Sequence, residues 1–223
     1  RYHNKHEGQR CFIIGNGPSL NEMDLSHLKH EICFSMNRGY LLFDRLGGPT
    51  HYHVTVNTTV IRQWPHEISE LKSVKFIPWT SRRWLSPRED LLLLGGPVRS
   101  EPPRFSKDIR VDFWAGSTVT FVALQLAYFM GFSQVYLIGV DHRFVTQGEP
   151  HRLVKAEGPD RNHFAPDYFG KGSEWNLPDL ETSEVAYILA RHYFSQGGRT
   201  VFDATKNGAL DIFPKVDYDS LFE

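Results

Sequence analysis

The chain has 223 residues, 40% of them hydrophobic and 23% charged, with a formal net charge of -1. That length and apolar content suit one α/β domain with a sizeable core, and the near-neutral balance argues against nucleic acid as a partner, because duplex binding needs a basic face. No apolar run is long enough to cross a bilayer; the longest, residues 119–130, is interrupted by Thr120 and Gln125.

Residues 1–9 are polar and basic and read as an N-terminal extension to a nucleotide-binding α/β domain spanning 10–223. The chain starts at Arg1, and a piece of a longer protein is expected. Residues 10–14 form an apolar run stopped by Gly15, Asn16, Gly17, Pro18 and Ser19, the pattern of a buried strand ending in a tight turn. Leu20, Met23, Leu25 and Leu28 then repeat at helical spacing over 20–29, with Ser19 as N-cap and Glu22 three residues on. Strands are predicted over 31–36, ending on Asn37, over 50–56, ending on Asn57, and over 73–77, closed by Pro78.

Residues 78–103 lose clear periodicity and read as an irregular, lid-like excursion carrying the run Leu91, Leu92, Leu93, Leu94. Gly116, Ser117 and Thr118 open a strong helix to Met130, capped by Gly131, and a strand over 134–139 ends on Val140 and Asp141. A second excursion spans 144–178. An amphipathic helix follows over 180–195, with Asp179 or Thr182 at its start, then a last strand over 200–203 and a tail over 212–222 that packs Phe213, Val216, Leu221 and Phe222. Strands alternating with helices define the fold class: a single Rossmann-like α/β domain with a mainly parallel sheet and helices on both faces. Cys11 and Cys33 both fall in core strands, where a thiol acts as a small hydrophobe; with no disulfide framework, a reducing cytoplasm is expected.

In such a sheet ligands bind beyond the carboxyl ends of the strands, so Gly15, Asn16, Gly17, Ser19, Asn37, Asn57, Gly116, Ser117 and Asp141 are expected on one rim. Gly15 to Ser19 offers glycines and N–H groups suited to a phosphate; the bland alternative is a tight turn with no ligand. It lacks the lysine of a Walker loop and the third glycine of the dinucleotide fingerprint. Asn37 and Asn57 carry amides suited to a base or a sugar hydroxyl, or else form Asx-turns, while Ser117 and Thr118 suit either a ligand or plain helix capping. In the second excursion His163 is placed to act as a general base, with Asp167 orienting it or acting itself and Arg143 neutralising a leaving phosphate. A metal site is not expected: His51 and His53 lack further partners, and Asp217 and Asp219 lie among packing residues.

The strings Phe12 to Leu20, Met36-Asn37, Gly116-Ser117, Tyr136 to Asp141 and Asn162-His163-Phe164 resemble, in order and approximate spacing, the 6-hydroxymethylpterin diphosphokinase-like family (domain of unknown function 115), which is related to bacterial lipooligosaccharide sialyltransferases. The resemblance implies a variant of the GT-A type and a metal-independent glycosyltransferase of bacterial surface-polysaccharide synthesis. Such an enzyme moves a sugar, sialic or another nonulosonic acid, from a CMP-sugar co-substrate to a glycan acceptor. Asn16, Gly17, Ser19, Asn37, Asn57, Gly116 and Ser117 would hold the donor, and His163 falls in the segment that supplies the base. The sialyltransferase branch has a second histidine where this chain has Asp167, and tyrosines after the strand where it has Arg143.

The other branch implies a magnesium-dependent pyrophosphokinase that uses ATP and a pterin, with Asp141, Glu157, Asp160 and Asp167 as candidate ligands. A third reading is a nucleotide-binding module without chemistry. The expected location is cytoplasmic, at the inner face of the membrane by peripheral association, and self-association into a homo-oligomer stays open.

Overall fold

The computed structural model describes residues 1–95, 102–145 and 148–223. Its strands in chain order are β1 (Arg10–Ile14), β2 (Cys33–Met36), β3 (Tyr52–Val54), β4 (Val74–Pro78), β5 (Leu91–Leu94), β6 (Gln134–Ile138), β7 (Leu153–Lys155), β8 (Glu174–Asn176) and β9 (Thr200–Asp203). The α-helices are α1 (Phe43–Leu46), α2 (Thr58–Gln63), α3 (Pro65–Glu70), α4 (Val119–Met130) and α5 (Leu180–Gln196). Seven strands form one all-parallel sheet in the order β5-β4-β3-β2-β1-β6-β9, and β7 and β8 pair antiparallel outside it.

β1 shows why the sheet is buried on both sides. Its side chains alternate, Cys11 and Ile13 entering one core and Phe12 and Ile14 the other, so both faces must be covered. On the first face lie α4 and α5; on the second lie α1, α2, α3 and the β7–β8 pair. Burying a side chain of that size contributes about 1.5–3 kcal/mol, so a short strand of four fully buried residues is a strong anchor.

α4 is apolar nearly all round, as a helix wedged between sheet and neighbours must be. Thr118 caps its start, accepting from Thr120 N–H at 3.3 Å, and Gly131 ends it at φ +91°. The polar residues 1–9 lie across that end: Asn4, His6 and Gly8 N–H groups donate to the carbonyls of Phe129, Met130 and Gly131, which the helix leaves unpaired.

Three predicted elements differ. The helix over 20–29 is instead two 3-10 turns, Pro18–Glu22 and Leu25–His30. Met23 breaks the run in extended conformation, and the Asp24 side chain accepts from Ser26 N–H to start the second turn. Ser19 therefore does not cap a helix; it lies inside the first turn with its hydroxyl on Asp141. The first excursion holds β5, paired with β4, and its residues 96–101 lie outside the described ones. The second excursion holds β7 and β8, and its residues 146–147 likewise lie outside. No described helix is long and apolar enough to cross a membrane.

Candidate active site

β1 has β2 on one side and β6 on the other, so the chain reverses direction of travel across the sheet between β1 and β6. A crevice opens at such a switch point beyond the strand ends, and here it is a cavity of about 350 Å³. Asn16, Asn37, Asn57, Ser117, Asp141 and His163 all line it, which brings together residues from six separate segments.

The two loops at the switch point touch. A Cβ on Gly15 would lie 2.2 Å from Gly139 O, and one on Gly17 would lie 1.8 Å from Asp141 Oδ2. Only glycine permits either approach. Gly15 N–H donates to Ile138 O at 2.7 Å and Gly17 N–H to Gly139 O at 2.8 Å, while Ser19 donates from N–H to Asp141 Oδ1 at 3.1 Å and from its hydroxyl to Oδ2 at 2.7 Å. The N–H groups of Gly15, Gly17 and Ser19 and the Ser19 hydroxyl, expected in a phosphate cradle, are thus engaged within the protein. Burial pushes the Asp141 carboxyl above its ordinary value, offset in part by the bonds from Ser19.

The asparagines serve both structure and cavity. Asn57 Oδ1 caps α2, accepting from Thr59 N–H at 2.9 Å, and Asn37 Oδ1 accepts from the Thr55 hydroxyl at 2.9 Å. Asn16 Nδ2 donates to Met36 O at 3.2 Å, but its Oδ1 is buried with no hydrogen-bond partner. A buried acceptor left unpaired is costly, and a ligand N–H or O–H would satisfy it. Gly116 is structural: at φ +52° it packs so close to Ala186 and Phe121 that a Cβ would fall 2.6 Å from each.

Four of the described non-glycine residues at positive φ line the cavity: Asn37, Ser117, His142 and His151. Backbone held in this sparsely populated region clusters at functional sites, and so marks this cavity rather than another.

His163 has a carboxylate partner, and it is Asp160, three residues before it, rather than Asp167. Asp160 Oδ2 accepts from His163 Nδ1 at 2.8 Å and from Phe169 N–H at 3.2 Å, and Oδ1 accepts from Asn162 N–H at 2.8 Å. Burial drives the Asp160 carboxyl upward, but the His163 bond and the two backbone donors outweigh it and leave it below the ordinary value. An ionised Asp160 fixes the Nδ1–H tautomer and leaves Nε2 as a basic lone pair. The ring is locked by stacking on Tyr168 at 4.1 Å, and the loop is pinned by Phe164 N–H donating to Asn16 O at 3.0 Å. Asp167 is exposed and outside the cavity, and its carbonyl accepts from Arg38 at 2.9 Å. Arg143 lines the cavity at its exposed rim.

Two further histidines line the cavity, His142, beside Asp141 and Arg143, and His151, which the sequence does not single out. His142 Nε2 pairs with Glu184 Oε1 at 2.9 Å, and His151 Nε2 lies 3.2 Å from Asp179 Oδ2 and 3.5 Å from the Ser117 hydroxyl. Nothing in the sequence flags His151, because it sits in a loop with no periodicity. Asp160 carries a weak signal in its i, i+3 spacing from His163.

Among the described residues no three His, Cys, Asp or Glu side chains form a group that could hold a metal ion. Of the four candidate carboxylates, Asp141 lines the cavity and accepts from Ser19, Asp160 accepts from His163, Glu157 lines a second, smaller pocket, and Asp167 lies outside both.

No protein-family model matches the chain, and no curated protein matches it in sequence. A structural match is the MAf glycosyltransferase from Magnetospirillum magneticum AMB-1, at 16% identity with a TM-score of 0.59, covering 98% of this chain. The chain spans 35% of that protein's length. The fold defined here, a single α/β domain on a seven-stranded parallel sheet, is thus one shared with a glycosyltransferase.

Proposed function

We propose that the chain is a glycosyltransferase that moves a sugar, sialic or another nonulosonic acid, from a CMP-type donor to a hydroxyl of a glycan acceptor. The observation that carries this reading is the Asp160–His163 pair in the cavity at the switch point. The acceptor hydroxyl gives its proton to His163 Nε2 as its oxygen attacks the anomeric carbon. The bond from that carbon to the phosphate oxygen breaks, with inversion. Asp160 stabilises the imidazolium as it forms.

Asn16 supports a nucleoside in the cavity, because its buried Oδ1 lacks a donor that a base amine or ribose hydroxyl would supply.

Thermal shift with CMP, CDP, UDP, GDP and ATP, each with magnesium or EDTA, tests the ligand, since stabilisation follows RT ln(1 + [L]/Kd). Stabilisation by CMP that survives EDTA is expected, together with turnover of a CMP-sugar that His163→Gln lowers roughly 10²–10⁴-fold. Stabilisation by ATP with magnesium alone, or full turnover in His163→Gln, overturns the reading.

A further inference from the structure

We propose that Arg38 is a positioning residue for the base: it acts through Tyr168 to hold the His163 ring at the cavity. This inference rests on the glycosyltransferase reading above, which gives His163 its role.

His163 lies flat on Tyr168, with ring centroids 4.1 Å apart and planes 5° from parallel. Asp160 bonds to Nδ1 at 2.8 Å, but one hydrogen bond fixes a distance and leaves the plane of the ring to its packing. The Tyr168 face supplies that plane. The placement of His163 is therefore only as firm as that of Tyr168.

Tyr168 is 1% exposed, and Arg38 holds it at both ends. At the ring end the Tyr168 hydroxyl accepts from Arg38 N–H at 3.1 Å. At the backbone end Arg38 Nη1 donates to Tyr168 O and, at 2.9 Å, to Asp167 O. The grip follows from the turn after β2. Asn37 N–H still donates to Val54 O at 3.1 Å, and the chain then leaves the sheet at φ +51°, so the next N–H, that of Arg38, meets Tyr168 instead of β3.

Arg38 is itself held. Its guanidinium carbon lies 4.2 Å from the centroid of the Trp64 ring, and Nε donates to the Tyr40 hydroxyl at 3.2 Å. Trp64 also packs on Phe169, the residue after Tyr168, with centroids 5.9 Å apart. Stacking on one ring while donating to two carbonyls needs a planar fork, which arginine has and lysine lacks.

The other end of the segment is tied to a different loop. Phe164 N–H donates to Asn16 O at 3.0 Å, and Phe164 O accepts from Asn21 Nδ2 at 2.8 Å. His163 thus hangs between the loop after β1 and the loop after β2, and Arg38 is the grip of the second. Arg38 does not line the cavity, so its loss reaches the base and spares the donor's contacts.

The test is CMP-sugar turnover by the full chain, with NMR of the His163 ring beside it. Arg38→Met and Arg38→Lys are expected to lower kcat roughly 10–10²-fold, the cost of a small misplacement of a reacting group, while KM for the donor stays within about twofold. In a His163→Gln background the same substitutions are expected to change turnover by no more than about twofold, because the group they serve is gone. The His163 ring protons, under the face of Tyr168, are expected upfield in wild type and to move toward the shifts of an unstacked histidine in Arg38→Met. Should Arg38→Met fail to fold, Arg38→Lys carries every readout. A raised KM with kcat unchanged, an equal loss in both backgrounds, or ring protons that do not move overturns the inference and leaves the glycosyltransferase reading intact. Absence of CMP-sugar turnover by wild type overturns that reading, and the ring protons then decide by themselves whether Arg38 holds His163.

Discussion

Ser19 and Asp141, 122 residues apart in sequence, are joined by two hydrogen bonds, from Ser19 N–H to Oδ1 at 3.1 Å and from its hydroxyl to Oδ2 at 2.7 Å. The pair clamps the loop after β1 to the loop after β6. Ser19→Ala removes the shorter of the two bonds to a charged acceptor and is expected to cost about 1.5 kcal/mol, read from the midpoint of urea unfolding.

Asp141 also sets a pH dependence. Burial raises its carboxyl in the folded state, so its contribution is fully present below the ordinary carboxylate value and is lost as pH rises through the folded one. Asp141→Asn, which keeps an acceptor for Ser19 N–H, is expected to gain on wild type as pH rises through that window. Unfolding curves with a constant difference across the window would contradict this.

Gly17→Ala is expected to cost about 1–3 kcal/mol, because the new Cβ meets the Asp141 carboxylate at 1.8 Å. Asp141→Ala removes the nearest atoms and leaves Gly139 O at 2.9 Å, so the cost of Gly17→Ala should fall by about 1 kcal/mol in that background. A double-mutant cycle measures the coupling; additive costs would mean that the carboxylate is not the obstacle.

Asp160 and Asp167 should separate cleanly. Asp160→Asn is expected to lower CMP-sugar turnover roughly 10²–10⁴-fold through the wrong tautomer of His163, whereas exposed Asp167→Asn stays within about twofold. Because bonds from His163 and the backbone depress the Asp160 carboxyl, its stabilising contribution is present above the ordinary carboxylate value and fades as pH falls through the folded one. Acid unfolding of Asp160→Asn should therefore show a shallower loss than wild type.

Asp179 caps α5 by accepting from Thr182 N–H at 2.9 Å. Asp179→Ala is expected to cost about 1 kcal/mol and Asp179→Asn only a few tenths, a contrast that thermal unfolding reads directly.

Much of this was legible in the chain because buried parallel strands write themselves as apolar runs. β1, β2, β3, β4, β6 and β9 were all anticipated, and with them the rim that carries Asn16, Asn37, Asn57, Ser117 and Asp141. β5 was visible only as four leucines, since one edge strand without a following helix has no alternation to mark it. The 3-10 turns after β1 were misread because Leu20, Met23, Leu25 and Leu28 keep helical spacing while Met23 turns extended. The glycines of 15–19 suggested a phosphate loop, and their close approach to Gly139 and Asp141 is something no local pattern reveals. Asp160 and Asp167 both neighbour His163 in sequence, and only folding decides which one bonds to it.

The strand order has a further bearing, on synthesis. The cavity is complete only once β6 lies beside β1 and the start of α5 is in place, so a growing chain holds no finished cavity until most of its length has left the ribosome. Ligand occupancy therefore reports on β1 to β6 and the start of α5 having come together. A nucleotide that binds here protects every element at once, from Arg10 in β1 to Gln196 at the end of α5.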